Sequence, residues 1–227
     1  MDKILCGAAV YDTASRSFQN RFVALRGARI LSVTETEPSL ADAQRIDCRG
    51  LLLLPGLVDV HTHGRAGFDF SSVGEADTDG VLLSYAKAGT TSVMATLASA
   101  PYEEWLAAAH MLAVHALQPH PGAHILGIHY EGRFLSEKRR GAHAAELLAA
   151  PSAAELHDML RASSGVLTHI SLAPELEGSE PFIREAVRLG ATVGIAHTDC
   201  TFEEAQAALS WGAVSFTHTY NAMSPLH

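Results

Sequence analysis

Cysteine is scarce in this chain of 227 residues: Cys6, Cys48 and Cys200 form an odd set with no CxxC spacing. That argues against a disulfide scaffold. Positive charge is also sparse, with 16 Lys and Arg against 25 Asp and Glu and a formal net charge of −9. No basic block interrupts the acidic balance, which excludes nonspecific nucleic-acid binding as a leading function. An anionic small ligand is still compatible, because a pocket can be locally positive on an acidic protein. Long apolar runs are missing too, and the segment after Met1 has no signal-peptide core. The expectation is a cytoplasmic protein without a membrane span.

What the sequence does contain is Leu54-Pro55-Gly56-Leu57-Val58-Asp59-Val60-His61-Thr62-His63-Gly64, two histidines at i, i+2 on the end of a short apolar run. Residues two apart on a strand point the same way, so one ion could take both imidazoles. Ahead of this motif lie short alternating segments such as residues 21–26 and 29–33, which predict a small N-terminal β domain over residues 1–54. From residue 55 onward, strand-like and helix-like segments alternate. Strands are predicted at 57–62, 91–97, 124–130, 166–172, 192–197 and 213–218. Helices are predicted at 76–88, 101–117, 152–162, 179–189 and 201–211, with Pro101 at a helix start and Thr201 followed by Glu204 as a capping box.

Largely apolar strands separated by helices imply an α/β fold with a buried parallel sheet. A closed barrel needs eight strands and six are predicted, so residues 55–227 are expected to form either an open sheet or an incomplete (β/α) barrel. The sequence runs out directly after strand six, at Asn221-Ala222-Met223-Ser224-Pro225-Leu226-His227. The expectation is a shortened sequence.

Polar residues gather at the carboxyl ends of these strands, where parallel α/β proteins build their sites. His61 and His63 end the first strand, His129 and Glu131 the third, His197 the fifth and His218 the sixth. A carboxylate among neutral imidazoles suits zinc or a similar divalent ion. His129 and His169 are read as packed histidines supporting that site from behind. His110, His115, His120, His124 and His157 are read as surface or helix-packing residues.

Further strings join this pattern: Ala88-Gly89-Thr90-Thr91-Ser92, Gly127-Ile128-His129-Tyr130-Glu131-Gly132-Arg133-Phe134, Arg139-Arg140-Gly141-Ala142-His143, Leu172-Ala173-Pro174-Glu175 and His218-Thr219-Tyr220-Asn221-Ala222-Met223-Ser224-Pro225-Leu226-His227. In this order, and with the HxH motif, they resemble the amino-terminal part of the N-acetylglucosamine-6-phosphate deacetylases of the metal-dependent amidohydrolase superfamily. The resemblance implies a TIM-like (β/α) barrel, here with about six of its eight strands.

It also implies roles. Glu131, His197 and His218 match the principal metal ligands, and His61 with His63 matches a second-metal pair that some members lack. One or two divalent ions are implied, zinc or alternatively iron, with Glu131 bridging. His143 matches a substrate-contacting histidine that orients or polarises the acetamide, and Asn221 with Ala222 matches the loop against the sugar phosphate. The implied substrate is a phosphorylated N-acetyl amino sugar, and the implied assembly is a homodimer. The family's acid/base aspartate, at the end of strand eight, has no counterpart among these residues. Asp199 and Asp59 are both set aside for that task. Arg133 stands where the family usually has proline. Two alternatives stay open: a metal-binding fragment or assembly partner without turnover, and a deacetylase for another N-acetylated sugar or amine.

Overall fold

The computed structural model describes residues 2–72 and 77–225. Leu226, His227 and the first residue of the helix expected from 76 lie outside the described residues. The chain divides into two compact units, Met1–Gly56 and Leu57–His227.

The first unit is a mixed sheet. Strands β1 (Asp2–Asp12), β2 (Ser17–Arg26), β3 (Arg29–Thr34), β4 (Gln44–Asp47) and β5 (Leu52–Leu53) pair in the order β3-β2-β1-β4, with β5 also on β1. β1 and β2 run antiparallel, whereas β4 and β5 add to β1 in parallel. Ile4, Ala8, Val23 and Ala24 are the buried residues of its strands, and the consecutive Val23 and Ala24 lie on opposite faces of the sheet.

The second unit begins with β6 (Leu57–Thr62), a short hairpin of β7 (Gly64–Arg65) and β8 (Phe68–Asp69), and α1 (Thr78–Lys87). It continues with β9 (Thr90–Leu97), α2 (Tyr102–Ala116), β10 (His124–Tyr130), α3 (Ala153–Ala162) and β11 (Leu167–Leu172). Then come α4 (Ser179–Arg188), β12 (Thr192–Ile195), α5 (Phe202–Trp211) and β13 (Ser215–Phe216). The six long-range strands form one parallel sheet in the order β13-β12-β11-β10-β9-β6, so spatial order equals chain order. Because the strand order never reverses direction, the crossover helices fall on one face of a curled sheet, which is the geometry of a barrel wall rather than a doubly wound sheet. This is an incomplete (β/α) barrel with a separate N-terminal sheet, as the pattern predicts.

Local chemistry sets the helix ends. Asp77 accepts from the Gly80 N–H at 2.8 Å to start α1. Thr201 and Glu204 form the expected reciprocal capping box of α5, and Pro101 precedes α2. Along β10 and β11, Ile128, Tyr130, Ile170 and Leu172 face the helices and join a core with Trp105, Leu112, Met159 and Ile183. Trp105 meets Tyr130 edge to face at 4.9 Å, locking α2 to β10. The alternate residues point inward and are polar. Thr96, His129, Ser171 and Thr217 form a chain of hydrogen-bond contacts, with His129 Nε2 2.8 Å from Ser171 Oγ and Ser171 Oγ 2.8 Å from Thr217 Oγ1. Gly194 makes room for this layer, since a Cβ there would come within 2.8 Å of His169 Nε2.

Candidate metal centre

Period-two geometry on β10 carries the inward-facing parity of His129 on to Glu131, one residue past the strand. Its N–H donates to the Leu97 carbonyl at 3.0 Å, which fixes the backbone at the barrel's carboxyl end. The carboxylate is 1% exposed. Its two oxygens divide four imidazoles between them. Oε2 lies 3.0 Å from His63 Nε2 and 3.4 Å from His61 Nε2, while Oε1 lies 2.8 Å from His218 Nε2 and 3.3 Å from His197 Nε2.

Three local devices deliver the four imidazoles. His61 comes from β6 itself. His63 is held where the β7–β8 hairpin folds back, with its carbonyl accepting from the Phe70 N–H at 2.8 Å. Gly64 is needed at that point: its φ is +138° and a Cβ would sit 1.9 Å from the Phe68 carbonyl oxygen. His197 and His218 both have left-handed backbones, φ 44° and 32°, two residues beyond the ends of β12 and β13. The strands therefore stop at Ile195 and Phe216 instead of running to 197 and 218, because a left-handed residue leaves the strand ladder. Tyr220 and Ala222 share the left-handed conformation. Such strain in non-glycine residues concentrates at functional sites.

The donor set calls for a cation. His197 Nδ1 donates to the Arg139 carbonyl at 3.0 Å and His218 Nδ1 donates to the Asn221 carbonyl at 3.2 Å. In a neutral ring this leaves a bare lone pair on each Nε2, and both lone pairs face a carboxylate oxygen. Acceptors facing acceptors are repulsive unless a proton or a metal ion lies between them. The Nδ1 atoms of His61 and His63 are buried without a hydrogen-bond partner among the described residues, so the protein alone leaves this site's polar inventory incomplete. Ligand atoms of His61, Glu131 and His218, and of Glu131, His143 and His197, lie within 4.8 Å of one another. Two overlapping triads sharing one carboxylate fit one ion or a bridged pair.

The electrostatics agree. Burial opposes ionisation of Glu131, yet the imidazoles, led by His197 and His63, hold its carboxyl well below the usual carboxylate range. His63 is raised by its contact with Glu131, whereas burial lowers His61. His143 is pushed down to about 4, chiefly by burial and then by repulsion from His197, whose ring it meets at 4.6 Å. Its Nδ1 lies 2.7 Å from Ser99 Oγ.

The structure thus gathers His61, His63, Glu131, His143, His197 and His218. Asn221 and Ala222 reach the same place through their main chain: the Asn221 carbonyl serves His218, and the Ala222 carbonyl accepts from the Thr198 N–H at 3.1 Å. Asp199 is occupied by Lys138 and Arg139, and Asp59 accepts from the His61 N–H at 3.2 Å. Ser99, Glu175 and the Arg139 carbonyl contribute without having been singled out for a role by sequence reasoning. Glu175 and Arg139 lay within recognised strings, whereas Ser99 did not.

Residues 52–227 match the sequence model of the Amidohydrolase family. The chain belongs to the amidohydrolase family. Metal dependence comes with that family, and the site above supplies matching donors. Within it, the chain is 37% identical over 211 residues to the N-acetylglucosamine-6-phosphate deacetylase of Bos taurus, covering 89% of this chain and 51% of that one. It is 33% identical over 176 residues to the N-acetylgalactosamine-6-phosphate deacetylase of Escherichia coli O157:H7, covering 78% of this chain and 47% of that one. The crystal structure of N-acetyl-D-glucosamine-6-phosphate deacetylase from Mycobacterium smegmatis superposes with a TM-score of 0.87 at 29% identity, covering 99% of this chain and 58% of that one. The chain spans about half the length of the curated relatives it matches. No described helix of this amidohydrolase is long and apolar enough to cross a membrane.

Proposed function

We propose that this amidohydrolase chain carries the metal centre of an enzyme that hydrolyses the acetamide of N-acetylglucosamine 6-phosphate to glucosamine 6-phosphate and acetate. The observation that carries the reading is one buried carboxylate, Glu131, faced on both oxygens by four imidazole Nε2 atoms. Glu131, His197 and His218 would hold one divalent ion, and His61 with His63 a second, Glu131 serving both. Zinc is the first choice for such nitrogen and oxygen donors, with iron the alternative. A bound divalent ion activates water and polarises an amide carbonyl, the two things an unreactive amide needs.

The remaining residues act on the substrate. His143 is neutral near pH 7, because its ring is pushed down to about 4. Ser99, whose hydroxyl donates to the Gly132 carbonyl at 3.2 Å, lies 2.7 Å from Nδ1 and holds the ring, so a neutral His143 would orient the acetamide without adding a buried charge. The loop at Asn221 and Ala222 would meet the sugar phosphate. The homodimeric assembly and the cytoplasmic location belong to the same proposal.

The test is acetate release from N-acetylglucosamine 6-phosphate by metal-loaded protein, compared with unphosphorylated N-acetylglucosamine. Preference for the phosphorylated sugar is expected. Metal binding without acetate release would instead favour the non-enzymatic reading. Similarity to an N-acetylgalactosamine-6-phosphate deacetylase favours a second substrate, the C4 epimer, so both sugars belong in the assay.

A further inference from the structure

Asp199 follows His197 by two residues, yet its carboxylate points away from Glu131 to a different task. It binds Arg139, at 2.7 Å to Nε and 2.6 Å to a terminal guanidinium nitrogen, and also takes Lys138. Arg139 is the residue whose carbonyl accepts from His197 Nδ1 at 3.0 Å. The loop closes on itself: His197 to the Arg139 main chain, the Arg139 side chain to Asp199, and Asp199 back to His197 along the backbone. Ser136 adds a parallel tie, its N–H donating to the His197 carbonyl at 2.9 Å.

The far side of the circuit is anchored as well. Glu175 accepts from the Thr198 hydroxyl at 2.5 Å and from the Asp199 N–H at 2.8 Å. The chain just past the 136–139 turn also passes close to the imidazole. A Cβ at Gly141, φ +58°, would lie 3.3 Å from His197 Cε1, so a glycine there leaves the imidazole its place beside the turn.

We infer that Asp199 is a positioning residue: by seating the Lys138–Arg139 turn it holds the Arg139 carbonyl against His197 Nδ1 and so fixes the ring in the tautomer whose bare Nε2 faces Glu131. This rests on reading His197 as a metal ligand. A neutral imidazole has one N–H. If the carbonyl withdraws, the proton can move to Nε2, and that nitrogen can no longer bind a cation. Partners of this kind typically change metal affinity 10–100-fold when removed.

The test compares Asp199→Ala, Asp199→Glu and Arg139→Met in the full chain. Arg139→Met keeps the carbonyl but removes the group that Asp199 holds, so it covers the case in which Asp199→Ala fails to fold. Three quantities are read: the His197 nitrogen resonances in ¹⁵N-histidine-labelled, metal-free protein, assigned with His197→Gln; the zinc dissociation constant; and the thermal midpoint. In Asp199→Ala and Arg139→Met, His197 is expected to show mixed tautomers and zinc to bind about 10–100-fold more weakly. The double variant should be no worse than either single one, and Asp199→Glu should recover part of the effect. A His197 tautomer and a zinc affinity within twofold of the wild type in both single variants would overturn the inference, even if the thermal midpoint fell. If His197→Gln itself left zinc binding unchanged, the ligand assignment would fail, a result distinct from an unmoved tautomer.

Discussion

His218 Nε2 stands 2.8 Å from Glu131 Oε1 across 87 residues of chain, joining the residues just past β13 to those just past β10. Replacing Glu131 with Gln keeps the shape of that contact but removes the charge all four imidazoles face. Metal content of Glu131→Gln, measured by inductively coupled plasma mass spectrometry after dialysis, should fall with an affinity loss greater than about a hundredfold, beyond that of an outer partner. Undiminished metal content would refute the ligand role.

The two carboxylate oxygens face different histidine pairs, which makes stoichiometry informative. His61→Ala combined with His63→Ala should lower binding from two ions to one while sparing the ion between Glu131, His197 and His218. Titration of zinc by calorimetry distinguishes this from loss of both ions, which would mean that the two histidine pairs serve a single site.

Arg133 forks onto Glu155 with two bonds of 2.8 Å and lies over the Tyr102 ring at 4.7 Å, tying the loop after Glu131 to α2 and α3. Removing only the guanidinium leaves Glu155 half-buried and unpaired. Arg133→Met should cost about 1–3 kcal/mol, seen as a lower midpoint in urea. The further change Glu155→Met should recover most of that loss, and equal losses in the single and double variants would show that the pairing is not the cause.

Acid should weaken the barrel through its inward histidines. Burial, with repulsion from His61, pushes His169 down to about 4, and burial with His169 lowers His129 well below the ordinary value. Each is neutral when folded but binds a proton near pH 6.5 when unfolded. Their contribution is therefore complete above about pH 6.5 and is eroded as pH falls, that of His169 being lost toward about pH 4. Urea unfolding of the metal-free protein at a series of pH values should give His169→Gln a flatter profile than wild type, by on the order of 1–3 kcal/mol over that window. Parallel profiles would exclude His169 as a source of the acid sensitivity.

The barrel strands and helices were legible because each apolar run of β9 to β11 has one face in the helical core and is bounded by Gly or Pro, and because helix starts carry signals such as the Thr201 cap. The histidines and Glu131 stood out because strand parity puts them at one end. Parity says nothing about φ, so the left-handed turns that end β12 and β13 before His197 and His218 were invisible. Main-chain partners have no residue signature either, which is why the Arg139 carbonyl went unnoticed, and Ser99 is a serine like any other. In the N-terminal sheet, β1 was hard to read because its register shifts between Leu5 and Ala8, around Gly7 with φ +76°, and breaks the alternation.

Because each strand of the wall pairs with the one made just before it, the barrel can grow outward as the polypeptide leaves the ribosome, with little long-range searching between successive additions. His61 is synthesised on the first of these strands and His218 after the sixth. A cation can be gripped by this set of donors only once the sixth strand is in place, so its capture marks correct seating of that strand and rewards the docking step with the binding free energy of the ion.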